Sequence, residues 1–299
     1  MKNNVQISQS SVSIKELLNK ATKALDTVSE TPRLDAELLL SFCLKKDKLW
    51  LYTHINEPIS NELFINFSAV LKRRLNKEPI SYIIGYKEFW KDKFLVTPQT
   101  LIPRPETELI VEHTIIWCKE NNIKNPKILD LGTGSGNICL SILREIKGAQ
   151  GFCLDISFDA IKIAQKNANR LKVIDRSLFF VSNWFSCIKR QPFFDVIVTN
   201  PPYISTIDTS NLDVSVKKFE PQQALFSGKD GLLDIKNILN TLPFYIKTPM
   251  LFMSEIGFDQ GEKILKFLKR HRHQYKIDFS YEILRDLTGL DRVIKLEFN

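Results

Sequence analysis

Lys127-Ile-Leu-Asp-Leu131 runs directly into Gly132-Thr133-Gly134-Ser135-Gly136, and Asn137-Ile138-Cys139-Leu140 follows. The first five residues read as a short buried strand, and the apolar spacing over 138–146 reads as a helix. Three glycines in five positions suit a turn in which a Cβ would hold the backbone away from a ligand. The pattern is not the dinucleotide fingerprint G-x-G-x-x-G, because the third glycine comes one residue early and Asn137 stands in its place. A strand-to-helix turn with purely structural glycines would use the same residues, so the turn needs further features before it implies a ligand.

Two such features follow. Asp155 closes the next expected strand, 151–155, where a carboxylate can accept both hydroxyls of a ribose; a helix-capping or surface Asp is the plainer alternative. Ser182-Asn183-Trp184-Phe185 comes just after the strand expected at 178–181. Trp184 offers an aromatic face for an adenine ring, although a core tryptophan would look the same. All three features fall at the carboxyl ends of neighbouring strands, where open α/β sheets bind ligands, and together they imply a nucleoside cofactor. The tight glycine spacing after Asp130 resembles the cofactor loop of class I S-adenosylmethionine methyltransferases.

Farther along, a helix is expected over 158–171 and strands over 194–199 and 251–255, with a closing pair at 281–284 and 292–298. This alternation predicts an α/β fold with a mostly parallel sheet covered on both faces. The segment up to residue 85 is helical in pattern instead. Ser13-x-x-Glu16 is a capping box ahead of Ile14, Leu17, Leu18, Ala21 and Leu25. Thr31-Pro32 supplies an N-cap and first-turn proline for a helix with Leu34, Leu38 and Leu39 on its buried face. A further helix is expected from Asn61 to Leu75, with Phe64, Phe67, Leu71 and Leu75 in register. Alternating aromatic and β-branched residues over 86–105, closed by prolines, suggest a hairpin or extended linker. The expected division is therefore a helical domain over 1–85, a hairpin or linker over 86–105, and a cofactor-binding domain over 106–299.

The most informative stretch is Val196-Ile-Val-Thr199-Asn200-Pro201-Pro202-Tyr203. Two prolines after a β-branched run end the strand and stiffen the chain beyond it. An NH2 group has two hydrogens; the Asn200 side-chain oxygen can accept one and the Pro201 carbonyl the other. Tyr203 can stack on a planar group. Such a clamp suits a conjugated amide or amine nitrogen, whose lone pair becomes available when both hydrogens are held. Orientation of this kind contributes on the order of 7–11 kcal/mol in favourable cases. No strong general base is required, because the nitrogen acidifies only after it has gained the methyl. His54, His113, His271 and His273 form no ligand spacing, and no metal site is expected.

The chain has 299 residues, 43% of them hydrophobic, enough for a sizeable core. No apolar run is long enough to span a bilayer, and the polar start MKNNVQISQSS contains no signal-peptide core, so a cytoplasmic protein without membrane association is expected. Cys43, Cys118, Cys139, Cys153 and Cys187 are scattered and odd in number, which reads as reduced thiols packed as small hydrophobes. A net charge of +8 would favour nucleic acid, but it also describes a lysine-rich solvated surface; the densest basic run, Lys266 to Lys276, ends an amphipathic helix.

Across nearly its whole length the sequence resembles the peptide chain release factor N5-glutamine methyltransferases. The resemblance lies in Pro32-Arg33-Leu34-Asp35-Ala36-Glu37, Glu78-Pro79, Tyr82-Ile83-Ile84-Gly85, Glu88-Phe89-Trp90 and Pro103-Arg104-Pro105-Glu106-Thr107-Glu108. It continues through the glycine turn, Asn200-Pro201-Pro202-Tyr203, Phe219-Glu220-Pro221, Gly231-Leu232 and Glu255-Ile256-Gly257. The Asn-Pro-Pro-Tyr element is shared with adenine-N6 methyltransferases; the Pro-Arg-Pro-Glu-Thr-Glu stretch and the helical segments are more specific.

The resemblance implies a seven-stranded Rossmann-like methyltransferase sheet with an antiparallel closing strand, plus a small helical domain that helps recognise the substrate. It implies S-adenosylmethionine, leaving as S-adenosylhomocysteine, bound by Gly132, Thr133, Gly134, Ser135, Gly136, Asp155, Asn183, Trp184 and Asn200. Asn200, Pro201, Pro202 and Tyr203 would hold the glutamine of the Gly-Gly-Gln loop of class I release factors, with Asn200, Pro201 and Tyr203 acting in catalysis. Phe89, Arg104 and Glu106 would shape the mouth. The implied protein is a monomer with no stable nucleic-acid partner. Three departures stand out: Asn183 where many relatives have Asp, Lys91-Asp92 in place of a glycine, and Tyr245–Met250 without a Gly-Gly turn. Two further enzymes share the clamp, a glutamine methyltransferase acting on a ribosomal protein and an adenine-N6 methyltransferase, the latter needing a flipped base and a basic groove. A catalytically silent binding module is a different class; intact Gly132–Gly136, Asp155 and Asn200 speak against it.

Overall fold

The computed structural model describes residues 12–207, 212–275 and 278–299; the polar N-terminal stretch and Lys276, at the end of the basic run, lie outside them. The chain forms two compact units, one comprising the residues up to Gly85 with Val214–Phe219, the other Tyr86–Asp213 with Glu220–Asn299.

The first unit holds helices Ile14–Leu25, Pro32–Leu44, Lys48–Thr53, Asn61–Leu75 and Ile80–Ile84. The capping box is formed: Glu16 N donates to Ser13 Oγ at 3.3 Å and Ser13 N to Glu16 Oε2 at 3.1 Å. Ile14, Leu17, Leu18, Ala21 and Leu25 are buried behind it. Thr31 makes no side-chain cap; its own N–H donates to Ser29 Oγ at 3.1 Å. Leu34, expected inside, is 39% exposed, and the buried face carries Asp35, Ala36, Glu37, Leu39 and Leu40. Apolar periodicity misplaced this face because two carboxylates enter it with partners, which removes most of the cost of burial. Asp35 accepts from Arg74 Nε and Ser29 Oγ, each at 2.7 Å; Glu37 accepts from Arg33 Nε at 2.7 Å and the Tyr52 hydroxyl at 2.6 Å. In the helix from Asn61, Phe67 is fully buried and Leu75 is exposed.

The second unit opens with an antiparallel hairpin, β1 (Tyr86–Phe89) and β2 (Asp92–Leu95). Trp90 takes φ +55° at its turn. The Lys91-Asp92 departure finds partners there: Lys91 Nζ lies 2.7 Å from Glu145 and Arg144 Nε lies 3.1 Å from Asp92. The main sheet comprises β3 (Lys127–Leu131), β4 (Gln150–Asp155), β5 (Ser177–Val181), β6 (Val196–Thr199), β7 (Met250–Glu255), β8 (Phe279–Arg285) and β9 (Asp291–Phe298). Its order is β5-β4-β3-β6-β7-β9-β8. The five strands β3 to β7 pair in parallel, while β9 runs antiparallel to both β7 and β8. The seven-stranded, mostly parallel sheet with an antiparallel closing strand is thus present.

Successive strand residues point to opposite faces, and both faces are covered. Leu129, Leu131, Ile197 and Phe252 share a core with Ile235, Ile238 and Leu239 of helix Leu233–Thr241 and Ile264 and Leu268 of helix Gly261–His271. Ile128, Val196, Val198 and Leu251 share another with Ile110 and Trp117 of helix Glu108–Glu120 and Ile138 and Ile142 of helix Asn137–Glu145. Of the cysteines, Cys118, Cys139 and Cys153 are buried, but Cys187 is exposed, so it is no core filler. The chain runs outward from β3 to β5 and then returns to the other side of β3 with β6. The sheet therefore has its switch point between β3 and β6, the position at which ligands enter such folds.

Candidate active site

At the carboxyl ends of β3 to β6 lies a cavity of about 400 Å³, within the usual size range of small-molecule sites. Gly132, Thr133, Gly134, Ser135, Asp155, Asn183, Trp184, Asn200 and Pro202 line it. Gly136, Pro201 and Tyr203 do not.

The turn after β3 has Gly132 at φ +73° and Gly134 at φ +56°, in the left-handed region that glycine tolerates. A Cβ on Gly132 would lie 3.3 Å from the Trp184 ring, so the missing side chain lets the indole rest against the turn. Gly136 does another job: a Cβ there would run into Leu140 at 2.7 Å, so this glycine lets the next helix begin close to the turn. Asp130 is fully buried, accepts from the Thr133 hydroxyl at 2.7 Å, and has its pKa pushed by burial up to about 7.

Asp155 receives Gly134 N on one carboxylate oxygen and Ser157 N on the other, each at 2.8 Å. Burial raises its pKa and these N–H donors oppose the rise. Each oxygen retains a lone pair for a diol. Trp184, at φ +47°, donates Nε1–H to Asp234 Oδ1 at 3.1 Å, and Asp234 Oδ2 accepts from Ser227 Oγ at 2.6 Å. Asp234 also lines the cavity. Sequence reasoning passed it over because nothing local ties it to Trp184, 50 positions away. Asn183 is exposed at the rim, and its carbonyl accepts from Ser186 N at 3.0 Å.

Asn200 follows β6, whose last residue, Thr199, donates its hydroxyl to Leu131 O at 2.7 Å and thereby ties the end of β6 to the end of β3. Asn200 Nδ2 donates to Thr107 Oγ1 at 3.4 Å, while Asn200 Oδ1 is buried with no hydrogen-bond partner. A buried unpaired carbonyl oxygen is costly, and on a residue that lines the cavity it is an acceptor still open to a bound donor. The Thr107 hydroxyl in turn donates to Glu255 Oε2. Burial pushes the Glu255 carboxyl up to about 7. The Tyr203 hydroxyl also bonds Glu255, and burial followed by that carboxylate raises its own pKa. The Tyr203 carbonyl accepts from Gln260 Nε2 at 2.9 Å, and Gln260 Nε2 also donates to Gly231 O at 3.1 Å. Thr107 and Glu255, present in the motifs quoted above, and Gln260 drew no role from the sequence for a shared reason: each meets the Asn-Pro-Pro-Tyr segment from a distant part of the chain.

The outer wall is formed by Gln99, Thr100, Leu101, Pro103, Pro221, Gln223 and Phe226. Glu220 binds its two sides together, accepting Arg104 Nη2 at 2.5 Å and Ile102 N at 3.1 Å. Arg104 thus shapes the wall from behind. Phe89 is a core residue, 6.0 Å edge-on from Phe94, and neither it nor Glu106 reaches the cavity.

A ring-sized slot beside Trp184, a carboxylate with open lone pairs and an unpaired amide oxygen beyond the glycine turn together fit a nucleoside carrying a reactive tail. The sequence matches the family models "PrmC N-terminal domain" over residues 16–85 and "Methyltransferase small domain" over 107–223. It is 41% identical to the release factor glutamine methyltransferase of Buchnera aphidicola over 94% of this chain and 97% of that one. The chain belongs to the release factor glutamine methyltransferase family. A second member, from Coxiella burnetii, is 39% identical over 95% of this chain and 98% of the relative. By fold alone, the hMettl16 catalytic domain, solved with an RNA hairpin, superposes with a TM-score of 0.54 at 15% identity, covering 69% of this chain and 75% of that one. As a member of the glutamine methyltransferase family, the protein is an S-adenosylmethionine-dependent protein-glutamine N-methyltransferase.

Proposed function

We propose that the methyl acceptor is the side-chain amide nitrogen of the glutamine in the Gly-Gly-Gln loop of class I release factors, and that the modification serves translation termination. The observation that carries this reading is the buried, unpartnered Asn200 Oδ1 at the switch point of the sheet. The near full-length kinship with release factor enzymes supports the choice of substrate.

S-adenosylmethionine, when bound, supplies an electrophilic methyl group on a sulfonium. Asp155 would hold its ribose, Trp184 its adenine and the Gly132–Gly134 turn its tail, a division of labour that follows from which groups face the cavity. Asn200 Oδ1 accepts one hydrogen of the incoming NH2, and the Pro201 carbonyl, next in the chain, would accept the other. Holding both hydrogens prevents rotation about the amide bond and lets the nitrogen pyramidalise as it is attacked. The two prolines keep these acceptors stationary, so no reorganisation is required during the reaction. Residues 12–85 would recognise the folded body of the substrate.

The test is incubation of the enzyme with methyl-labelled cofactor and purified release factor, followed by mapping of the label. Label on the loop glutamine, lost when that glutamine is replaced, is the expected result. Label on a ribosomal protein or on nucleic acid, with none on the factor, would sink the assignment.

A further inference from the structure

We infer that Thr107 and Glu255 are positioning residues that determine which end of the Asn200 side-chain amide faces the acceptor nitrogen. This rests on the reading of Asn200 as the acceptor of an amide hydrogen. The oxygen and nitrogen of a primary amide are nearly the same size, so rotation by a half-turn leaves packing unchanged. The chemical result is opposite, since Oδ1 attracts an incoming NH2 and Nδ2 repels it. Something must therefore choose the rotamer, and in this chain the choice is made by a relay.

Glu255 ends β7, the strand beside β6, with Thr199 paired to Ser254. Thr107 comes from the turn Pro105–Thr107, brought to the same place from the other side of the sequence. The Thr107 hydroxyl has one hydrogen and gives it to Glu255. Only lone pairs then remain for Asn200, so Nδ2 turns to Thr107 and Oδ1 is left unpaired. The Tyr203 hydroxyl holds the carboxylate from the end of the clamp itself. Two residues distant in sequence, Thr107 and Glu255, thus orient one amide, with Tyr203 of the clamp holding the second of them.

The relay has a direction that protonation reverses. A protonated Glu255 can donate to Thr107, whose hydroxyl then donates to Asn200, and the amide turns its oxygen away from the substrate. The groups facing Glu255 are Thr107 and Glu106 from the Pro105–Thr107 turn, Arg104 just before it, and Tyr203, which also faces Arg292 of β9. Burial and Glu106 favour the protonated form, whereas Thr107, Tyr203 and Arg104 favour the carboxylate; the balance sits near pH 7.

Steady-state methylation of the release factor by the full-length enzyme tests this, using Thr107→Val, Thr107→Ser and Glu255→Gln with kcat profiles from acid to alkaline pH. Cofactor affinity is measured alongside by calorimetry. Thr107 also lines the cavity, but valine keeps its volume, so Thr107→Val should lower kcat about tenfold or more and by clearly more than it weakens affinity for S-adenosylmethionine, since what it removes is the orienting bond. Thr107→Ser should recover most of the loss. The wild type should lose kcat on the acid side as Glu255 takes up its proton, and Glu255→Gln should flatten that limb. Equal impairment of Thr107→Ser and Thr107→Val, wild-type turnover in Thr107→Val, or an acid limb retained in Glu255→Gln would each overturn the inference. Wild-type enzyme that fails to label the factor removes the acceptor reading itself, and that is seen before any variant is compared.

Discussion

Asn200 combines two facts seldom found in one side chain: it lines the cavity, and its oxygen is buried without a partner. Replacing it by alanine should leave affinity for S-adenosylmethionine near that of the wild type and slow turnover by about 100-fold or more, the usual cost of losing one transition-state hydrogen bond. Calorimetry and single-turnover labelling check the two halves separately; near-normal turnover would refute the clamp. Gly132→Ala should do the reverse. Its new methyl would press on the Trp184 ring at 3.3 Å from a backbone at φ +73°, so cofactor affinity should fall while the clamp stays intact. Both residues could be placed on the cavity wall from the sequence because their signals are local: glycines in a turn, and an amide before two prolines. Thr107 could not, since its partner Asn200 lies 93 positions away and a threonine before a helix has many ordinary uses.

Among the elements, the strands of the main sheet were expected to within one residue, except that β6 begins two residues later than 194 and β8 two residues earlier than 281. Short apolar runs bounded by charged turns leave little room for error, and helix and strand ends fray by about that much in any case. Helices Glu108–Glu120 and Leu233–Thr241 were not foreseen. The first follows a proline-rich stretch that reads as extended, and the second lies between the clamp and the strand at 251–255, where the sequence suggested no element. The second helix matters most to the site, for it carries Asp234 to the Trp184 indole. Gln260, just ahead of helix Gly261–His271, braces the clamp by donating to both the Tyr203 and Gly231 carbonyls. A Cβ on Gly231 would lie well inside contact distance of the Tyr203 carbonyl, at a φ of +71° that disfavours any side chain. Gly231→Ala should therefore displace the clamp and lower kcat for the release factor, leaving cofactor binding largely intact. Loss of cofactor binding with unchanged kcat would show that the brace serves the other half of the site.

For the whole molecule, the buried acids impose a pH dependence on stability. Asp130 has a folded pKa near 7, above its ordinary 3.8, because burial disfavours its charge. A pKa raised on folding stabilises below the unfolded value, and that contribution is lost as pH climbs from about 4 through 7. Asp130→Asn removes the titration, so the gap in melting temperature between wild type and variant should shift in favour of the variant over that window. A gap independent of pH would mean that Asp130 stays charged in the folded protein. No described helix is long and apolar enough to cross a membrane.

The ladder that joins β3 to β6 sets Leu131 opposite Thr199, so the loop for the methyl donor and the clamp for its acceptor leave adjacent strands, roughly 4.8 Å apart across the ladder. Their separation is inherited from backbone pairing and owes little to any side chain. Substitutions on the cavity wall at Gln99, Leu101 and Gln223 can therefore change what the site admits without moving one strand end against the other.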